Sequence, residues 1–256
     1  MRPDRMRELF ALWKQEKTDP APFYTELASD TVADLEHRHG PLAGRRILDL
    51  GCGPGFYTSA FRAVGADCVP VDASEEELRL AGEPPSGFVL ADAGDLPFED
   101  GSADGVFCSN LLEHTPNTPD VIAEIERVLR PGGWGYISWT NWYSPWGGHD
   151  MTPYHLLGPE RGSRLYERRH GPPRKNRFGE ALFPVHVGPT IRLVQRRPGL
   201  RIERVEPRYW PRLSWITRVP GFRELATWNC VIRVRKRGQA AETATAASTH
   251  STGSAA

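Results

Sequence analysis

Two rhythms of apolar and polar residues divide the chain. Up to about residue 40, apolar residues recur at the spacing of an amphipathic helix, which predicts helices over residues 5–17 and 23–37. From residue 45 onward, short apolar runs alternate with longer amphipathic stretches. We predict strands over residues 46–50, 68–71, 88–91, 105–109 and 134–139, helices over 56–64 and 120–129, and a helix that starts at Ser74.

The alternation of strands and helices over residues 45–139 predicts a parallel sheet with helices on both faces. Apolar runs over residues 200–205 and 229–234 add two strands, and residues 210–228 between them predict a helix or a broken helix. The chain is therefore assigned to the α/β class, with a seven-stranded, mostly parallel sheet. Residues 140–200 interrupt the alternation and are too long for an ordinary connection, which predicts an inserted substrate-binding or lid segment.

Composition excludes several classes of protein. Apolar residues make up 39% and charged residues 25% of the chain, which suits a folded core and argues against disorder. No apolar run approaches the ~20 residues of a membrane-spanning helix, and the N-terminal residues lack the apolar stretch of a secretory signal. The four cysteines are far apart and include no CxxC pair, which argues against a cysteine-rich zinc site and a disulfide framework. They fit free thiols in a reducing compartment, so we expect a cytoplasmic protein.

The formal net charge of zero hides two oppositely charged halves. Residues 1–127 carry 11 basic and 24 acidic residues, whereas residues 128–256 carry the remaining 21 and 8. Halves of opposite sign can simply pack against each other, or the basic half can attract ligands that bear phosphate. Both interpretations stay open at this point.

A glycine-rich turn follows the first predicted strand. Gly51, Gly53 and Gly55 lie between that strand and the next helix, where open α/β sheets bind ligands. Glycine lets a ligand approach the main chain closely, although a lone loop of this type is weak evidence. A dinucleotide fingerprint would need glycine at the position of Phe56, which disfavours a nicotinamide oxidoreductase.

Acidic residues follow the next two strands. Asp72 ends the second strand, where a carboxylate can accept hydrogen bonds from both hydroxyls of a ribose. Asp92 follows the third strand, where a carboxylate can accept from an adenine amino group, with the backbone N–H of Ala93 facing the ring. Either acid alone is more often a helix cap or a solvated turn. Because three successive strand ends carry such groups, we predict a nucleoside site.

These residues resemble the class I S-adenosylmethionine-dependent methyltransferases, in the small-molecule branch that includes the ubiquinone-biosynthesis O-methyltransferases. The matching blocks are ILDLGCGPG (47–55), VDAS (71–74), ADAGDLPFEDGSADGVFCSNLLEH (91–114) and RVLRPGGWGYISW (127–139). More loosely, the whole chain is similar to uncharacterised bacterial methyltransferases. The resemblance implies a Rossmann-like sheet and S-adenosylmethionine as the cofactor.

The resemblance also implies a role for each matching residue. The methionyl end of the cofactor is expected at Asp49 and the backbone of Gly51, Gly53 and Gly55, the ribose at Asp72, the adenine at Asp92 and Ala93, and the methyl-donor pocket beside Ser109. The domain organisation expected from it is a helical lid over residues 1–40, an S-adenosylmethionine-binding core over 41–139, a substrate-binding insertion over 140–200, closing strands over 201–237 and a disordered tail over 238–256.

Two histidines are candidates for a general base. His149 follows the fifth strand, beside Asp150, and is the first choice, since an imidazole suits proton removal near neutral pH. His114 follows the fourth strand, and the alternative for it is a residue that lines the pocket. In some ubiquinone-type relatives a glutamate, with the Glu-His pair, serves a divalent cation. Asn110 stands in place of that glutamate here, so we predict no metal.

The second half of the chain carries the acceptor candidates. Residues 160–177 hold seven basic and two acidic residues, and arginine forks bind phosphate or carboxylate groups, so an anionic acceptor is one hypothesis and a solvated helix face the other. We expect Arg174, Lys175 and Trp142 to contact the acceptor. Tryptophans also favour membrane interfaces, which makes peripheral membrane contact an option. A neutral overall charge and the lack of a recognised motif argue against nucleic acid.

The sequence thus predicts an S-adenosylmethionine-dependent enzyme that methylates a hydroxyl of a small-molecule, sugar or lipid-linked acceptor in biosynthesis. N- or C-methylation of a natural-product intermediate is one alternative, and a non-catalytic S-adenosylmethionine-binding module is another. The sequence gives no indication of the oligomeric state.

Overall fold

The computed structural model describes residues 8–9, 11–12, 18–74, 85–173 and 175–238. Its strands are β1 Arg46–Leu50, β2 Asp67–Asp72, β3 Val89–Leu90, β4 Ala103–Ser109, β5 Leu129–Thr140, β6 Leu200–Pro207 and β7 Asn229–Lys236. Its α-helices are α1 Ala21–His39, α2 Phe56–Ala63, α3 Thr118–Val128, α4 Pro159–His170, α5 Val187–Gln195 and α6 Phe222–Ala226. Short 3₁₀ helices span Leu112–His114, His149–Met151, Tyr154–Leu157 and Pro211–Arg218.

The strands form one seven-stranded sheet in the order β3-β2-β1-β4-β5-β7-β6. Strand β2 pairs in parallel with β1 and β3, and β4 pairs in parallel with β5. Strand β7 runs antiparallel to both β5 and β6. The predicted α/β class and the seven-stranded, mostly parallel sheet are therefore confirmed.

The chain forms two compact units that divide after Ala93. In the first unit β1 is the buried centre, with Ile47, Leu48 and Leu50 fully enclosed, and Phe61 of α2 is enclosed as well. These three residues are apolar because a central parallel strand is covered on both faces. Glu8, Leu9, Ala11 and Leu12 are helical, and Leu9 packs against two residues of α1; the rest of the predicted helix over residues 5–17 lies outside the described residues.

The second unit is built around β5, which lies between β4 and β7. Trp134 and Trp139 of β5 are almost fully enclosed. This strand begins at Leu129, five residues before the predicted start. Residues 130–133, whose Pro-Gly-Gly sequence is typical of a turn, instead form an irregularity within the strand. The pairing with β4 shifts between Ala103 and Gly105, which lets the extra residues loop out.

Residues 210–228 confirm a broken helix. A 3₁₀ helix ends at Arg218, and α6 starts after Gly221, whose φ of 77° belongs to the left-handed region that an α-helix cannot contain. The predicted insertion over residues 140–200 contains α4 and α5 and is more regular than its composition suggests. Residues 239–256, most of the predicted disordered tail, lie outside the described residues.

Among the residues that the structure describes, no helix has the length and apolar character that crossing a bilayer requires. All four cysteines are free and buried, in agreement with the expectation of free thiols.

Candidate active site

The glycine turn of the first unit leaves its backbone open to a ligand. Gly51, Gly53 and Gly55 have φ values of 69°, 46° and 77°, which all lie in the left-handed region that favours glycine. A methyl group added at Gly53 would meet no described atom within 4 Å, so the described residues leave the space beside it open. At Gly55 the same group would lie 2.7 Å from Cγ of Pro85. The turn therefore needs glycine at residue 53 for its backbone conformation, and at residue 55 both for its backbone conformation and for the space beside Pro85.

Asp49 lies beneath this turn. Its side chain is buried, and Oδ2 accepts a hydrogen bond of 2.6 Å from the hydroxyl of Thr58 in α2. Burial raises the pKa of Asp49 to about 7, because a carboxylate loses its hydration there, and the Thr58 hydrogen bond opposes this effect. Asp49 thus supports the turn from below and connects it to the following helix.

Asp72, at the end of β2, is tied to the same turn. Its Oδ2 accepts from the Gly53 N–H and its Oδ1 accepts from the Ser74 N–H, both at 3.0 Å. An ionised carboxylate has about four lone-pair positions, so Asp72 can keep these bonds and still accept from two ribose hydroxyls.

The end of β3 offers a mixed surface. Asp92 is exposed and Ala93 is half-buried. Leu90, two residues earlier, is 61% exposed, which is unusual for a leucine in a strand and provides an apolar surface for a flat ring. Pattern reasoning missed Leu90 because nothing in the sequence marks it as exposed. An open glycine turn, an acid with free lone pairs and an apolar surface beside a second acid fit the adenosine and methionyl parts of the cofactor.

In the second unit, the end of β4 is a hydrogen-bonded polar network. The hydroxyl oxygen of Ser109 accepts from Nη1 of Arg208 at 3.0 Å and lies 3.1 Å from the Ser138 hydroxyl. Asn110 has a φ of 55° and accepts a 2.7 Å hydrogen bond from the side-chain amide of Asn229. Sequence reasoning missed Arg208 and Asn229, because they lie just after β6 and at the start of β7, about a hundred residues later in the chain.

Glu113, His114 and His149 come together beyond this network. One oxygen or ring nitrogen from each lies within 4.8 Å of the others, and we refer to the three as the Glu-His-His cluster. The two imidazole rings meet edge to face with centroids 5.1 Å apart. The structure therefore brings together the two predicted base candidates, which the sequence separates by more than thirty residues. Three such groups can also hold a divalent cation at this spacing.

Hydrogen bonds show which atoms of the Glu-His-His cluster are engaged and which are left to accept a proton. Nδ1 of His114 lies 2.8 Å from the carbonyl oxygen of Ala181, which can only accept, so Nδ1 carries the proton and Nε2 is left as a proton acceptor. Glu113 accepts from the Thr140 N–H at 2.8 Å through Oε1, whereas its buried Oε2 and the buried Nε2 of His149 have no hydrogen-bond partner in the part of the chain that the structure describes.

Burial sets the charge in this cluster. It raises the pKa of Glu113, although the neighbouring His114 opposes that shift. Burial, together with repulsion from His114, lowers the pKa of His149 to about 4. His149 is therefore neutral at physiological pH. Its φ of 47° is uncommon for a residue other than glycine.

The predicted acceptor contacts are spread more widely. Trp142 is 1% exposed and packs with Met151 and Leu182, so it supports the segment from within, and contact with an acceptor would require its side chain to move. Lys175 is exposed, and Arg174 lies outside the described residues. A cavity of about 270 Å³ along α4 is lined by Arg161, Arg164, Leu165 and Arg168.

Comparison with known proteins agrees with this geometry. Residues 48–137 match the model of a methyltransferase domain. An uncharacterised methyltransferase of Mycobacterium marinum is 40% identical over 243 residues, which cover 91% of this chain and 94% of that protein. One of Mycobacterium tuberculosis is 38% identical over 238 residues, covering 89% and 93%.

Solved structures give the same fold. An S-adenosylmethionine-dependent methyltransferase of Mesorhizobium loti superimposes with a TM-score of 0.54 at 24% identity, over 80% of this chain and 96% of that one. A second, of Archaeoglobus fulgidus, gives 0.52 at 18% identity, over 89% and 100%. From the whole-length relatives and the matched domain, the chain belongs to the methyltransferases that use S-adenosylmethionine as their cofactor.

Proposed function

We propose that this methyltransferase transfers a methyl group to a hydroxyl oxygen of a small-molecule, sugar or lipid-linked acceptor in biosynthesis. The Glu-His-His cluster carries the proposal, because it gathers three proton-accepting groups within 4.8 Å. An alcohol is a poor nucleophile until its proton is removed, whereas an amine can lose its proton to solvent. A buried group of bases therefore favours oxygen as the attacking atom over nitrogen.

When bound, S-adenosylmethionine supplies a methyl group that its positively charged sulfur already activates. The protein then has to hold the acceptor in line with the methyl carbon and receive one proton. We assign the proton to Nε2 of His114, because the Ala181 carbonyl fixes the ring in the tautomer that leaves this nitrogen free. In the balanced step the oxygen–methyl bond forms, the sulfur–methyl bond breaks, and the acceptor proton moves to His114.

His149 and Glu113 assist in different ways. Neutral His149 lies edge-on to His114 and adds no competing charge, since its pKa is about 4. The buried Glu113 oxygen that lacks a partner among the described residues can stabilise the imidazolium that forms. His149, the first choice from sequence, would thus shape the site around His114, and both residues would contribute to the rate.

The cofactor contacts remain as the resemblance implies. We propose that Asp72 binds the ribose, that Asp92 and Ala93 bind the adenine, and that Asp49 acts on the methionyl end through the turn above it. Ser109, held between Arg208 and Ser138, would border the methyl-donor pocket. The helical lid, the core, the insertion and the closing strands keep their expected roles in this proposal.

An anionic acceptor is supported by α4. Arg161, Arg164 and Arg168 follow one another at helical spacing around the α4 cavity, and none of them forms an ion pair with a described carboxylate. Guanidinium groups without ion-pair partners are suited to phosphate or carboxylate. We propose that the exposed Lys175 also contacts this acceptor, as the sequence predicts for Lys175 and Arg174. The four buried, free cysteines support a cytoplasmic location.

Methyl incorporation tests the function. The enzyme is incubated with fractionated cell extract and S-adenosylmethionine carrying ¹³C in its methyl group, and the product is examined by NMR. A new methyl carbon at the chemical shift of a methoxy group is the expected result. A methyl resonance in the N-methyl or C-methyl region would contradict oxygen as the acceptor and support the corresponding alternative.

A chelator tests whether a free imidazole is the base. We expect full activity after treatment with EDTA, because the Asn110 side chain is engaged with Asn229 and supplies no charged ligand. Loss of activity that Zn²⁺ or Mn²⁺ restores would contradict the assignment and turn the Glu-His-His cluster into a cation site.

A further inference from the structure

The exposed bulky apolar residues of this protein are concentrated in two segments. Among the described residues, ten large apolar side chains are exposed, and nine of them lie in residues 143–157 and 213–225. They are Tyr143, Trp146, Leu156, Leu157, Leu213, Trp215, Val219, Phe222 and Leu225. Scattered exposed apolar residues need no explanation, but clustering of this kind marks an interaction surface.

The second segment is fixed in place with its apolar residues outward. Ile216 and Thr217 are buried, and the Thr217 hydroxyl donates to the carbonyl oxygens of Ser214 and Val205 at 2.8 and 3.3 Å. Trp215 and Phe222, 53% and 46% exposed, stack on each other with centroids 6.0 Å apart. The exposed rings are therefore held by a short, anchored scaffold.

The charged side chains of this segment that face solvent are all positive. Arg212 and Arg218 are exposed and form no ion pair within the described residues. Glu224 is the one acid among residues 208–228, and its carboxylate is turned inward, where it accepts from the N–H groups of Val187 and Gly188 at 2.8 Å each. What faces outward combines aromatic rings, leucines and arginines.

Both segments lie at the edge of the sheet that carries the Glu-His-His cluster. Residues 143–157 follow the end of β5 and include His149, and the pairing of Thr140 with Asn229 places the end of residues 208–228 at the same edge. Trp228 contacts Trp146 from the first segment and Trp210 beside the second, with ring centroids 4.8 Å apart in both cases. The two apolar segments therefore adjoin one another through these tryptophans.

We propose that this surface, residues 143–157 with 211–225, docks on an anionic lipid bilayer. Aromatic and aliphatic side chains next to two arginines without a described ion-pair partner match the interface between acyl chains and negative headgroups. Residues 211–225 present no outward acid, and Asp150 is the one exposed acid of residues 143–157. A protein partner of the same chemistry would need acidic groups around an apolar centre, whereas an anionic bilayer supplies both over any area. The proposal goes beyond the methyl-transfer reaction, since docking can be measured without an acceptor.

Vesicle sedimentation tests the proposal. Full-length protein is mixed with sucrose-loaded vesicles of phosphatidylcholine, either alone or with phosphatidylglycerol, and the sedimented fraction is measured at low and high salt. We expect sedimentation with the anionic vesicles, much less with phosphatidylcholine alone, and a loss at high salt. Removing two arginines near the surface should weaken binding to the anionic vesicles about tenfold.

Paired variants locate the contact. We expect about tenfold weaker vesicle binding for the double variant Arg212→Ala with Arg218→Ala, and separately for Trp215→Ala with Phe222→Ala. The control is Arg192→Ala with Arg196→Ala, which removes the same charge from exposed positions in α5 and directly after it and should leave binding unchanged. Thermal melting and S-adenosylhomocysteine affinity, measured on the same samples, show whether each variant is folded. The arginine pair keeps the test valid if the aromatic pair fails to fold.

Three results would overturn the proposal. The first is folded wild-type protein that does not sediment with anionic vesicles. The second is equal sedimentation of wild type and both surface variants. The third is a doubled mass in light scattering that Trp215→Ala with Phe222→Ala abolishes, without vesicle binding, which would assign the surface to a second copy of the chain. None of these results bears on the methyl-transfer reaction, so the two proposals fail separately.

Discussion

At the scale of single residues, Asp49 is the clearest source of pH-dependent stability. Its folded-state pKa of about 7 lies above its ordinary value of 3.8, so the folded protein binds a proton that the unfolded chain has lost between these pH values. Stability contributed by this group is therefore present at low pH and is lost as the pH rises toward 7.

Asp49→Asn removes this dependence and keeps an oxygen for Thr58. Between pH 5 and 8 the wild type should lose about 2 to 3 kcal/mol more of its unfolding free energy than the variant does. Urea denaturation at both pH values measures the difference. The same loss in both proteins would mean that Asp49 is already ionised in the folded state at pH 5.

Substitution of His114 and of His149 should lower kcat to different extents. His114→Ala removes the proposed proton acceptor and should lower kcat about 100-fold or more. His149→Ala should lower kcat by a smaller factor than His114→Ala. In the wild type, the pKa of His149 of about 4 keeps its ring neutral, so the NMR resonances of that ring should not shift between pH 6 and 9.

A third histidine serves as the control for the His114 and His149 variants. His170→Ala, an exposed histidine at the end of α4, should leave kcat unchanged. A His114→Ala enzyme with wild-type kcat across pH 6–9 would remove His114 from the mechanism, and the same result for His149→Ala would remove that residue.

Residue chemistry was predictable where neighbours in sequence are neighbours in space. The glycine turn and Asp72 follow their strands directly, and their local hydrogen bonds fit that expectation. Arg208 and Asn229 could not be predicted, since they reach Ser109 and Asn110 only through the antiparallel strands that follow the insertion. Trp142 was grouped with the acceptor because an aromatic residue carries no mark of its burial in sequence.

At the scale of elements, the junction of the glycine turn with α2 is sensitive to one methyl group. Gly55→Ala imposes a left-handed alanine and a contact of 2.7 Å with Pro85. The turn should shift, and S-adenosylhomocysteine affinity should fall about tenfold, a loss of about 1.4 kcal/mol.

Gly44→Ala is the matched control. Gly44 has a similar φ of 72°, but an added methyl group meets none of the described atoms within 4 Å, so this variant bears only the backbone strain of about 1 kcal/mol. Cofactor affinity should stay at the wild-type level. Calorimetry on both variants makes the comparison, and equal affinities would show that the contact at Gly55 has no effect on the cofactor.

A second element-scale contact holds the start of α5. Glu224 of α6 accepts from the N–H groups of Val187 and Gly188, which satisfies backbone donors at a helix N-terminus. Glu224→Ala should therefore lower the unfolding free energy by about 1 to 2 kcal/mol. Glu203→Ala, on β6 and paired with Arg235 near the surface, should cost less than half as much in the same urea denaturation. Equal costs would contradict the role of Glu224 as a cap.

Strand positions followed from apolar runs, and the five predicted runs of the core each contain or overlap an observed strand. The start of β5 was missed because the Pro-Gly-Gly sequence is typical of a turn, whereas here it forms an irregularity inside a pair of strands. The apolar pattern cannot distinguish a turn from such an irregularity, because in both cases the Pro-Gly-Gly residues are unpaired and polar or small.

At the scale of the whole molecule, the fold and the cofactor were predictable because both depend on strand order and strand ends. The concentration of exposed apolar residues in two segments was not predictable, since composition shows that tryptophans are present but not which of them reach solvent. The acceptor depends on that part of the surface, which the core motifs do not encode.

The account as a whole depends on Asp72 and the glycine turn binding a nucleoside. Isothermal titration calorimetry with S-adenosylhomocysteine tests this directly. Wild type should bind one equivalent, Asp72→Ala should bind about tenfold more weakly or worse, and Asp67→Ala, an exposed acid at the other end of β2, should match the wild type. Absence of binding by the wild type, or equal affinity of Asp72→Ala and wild type, would contradict the account.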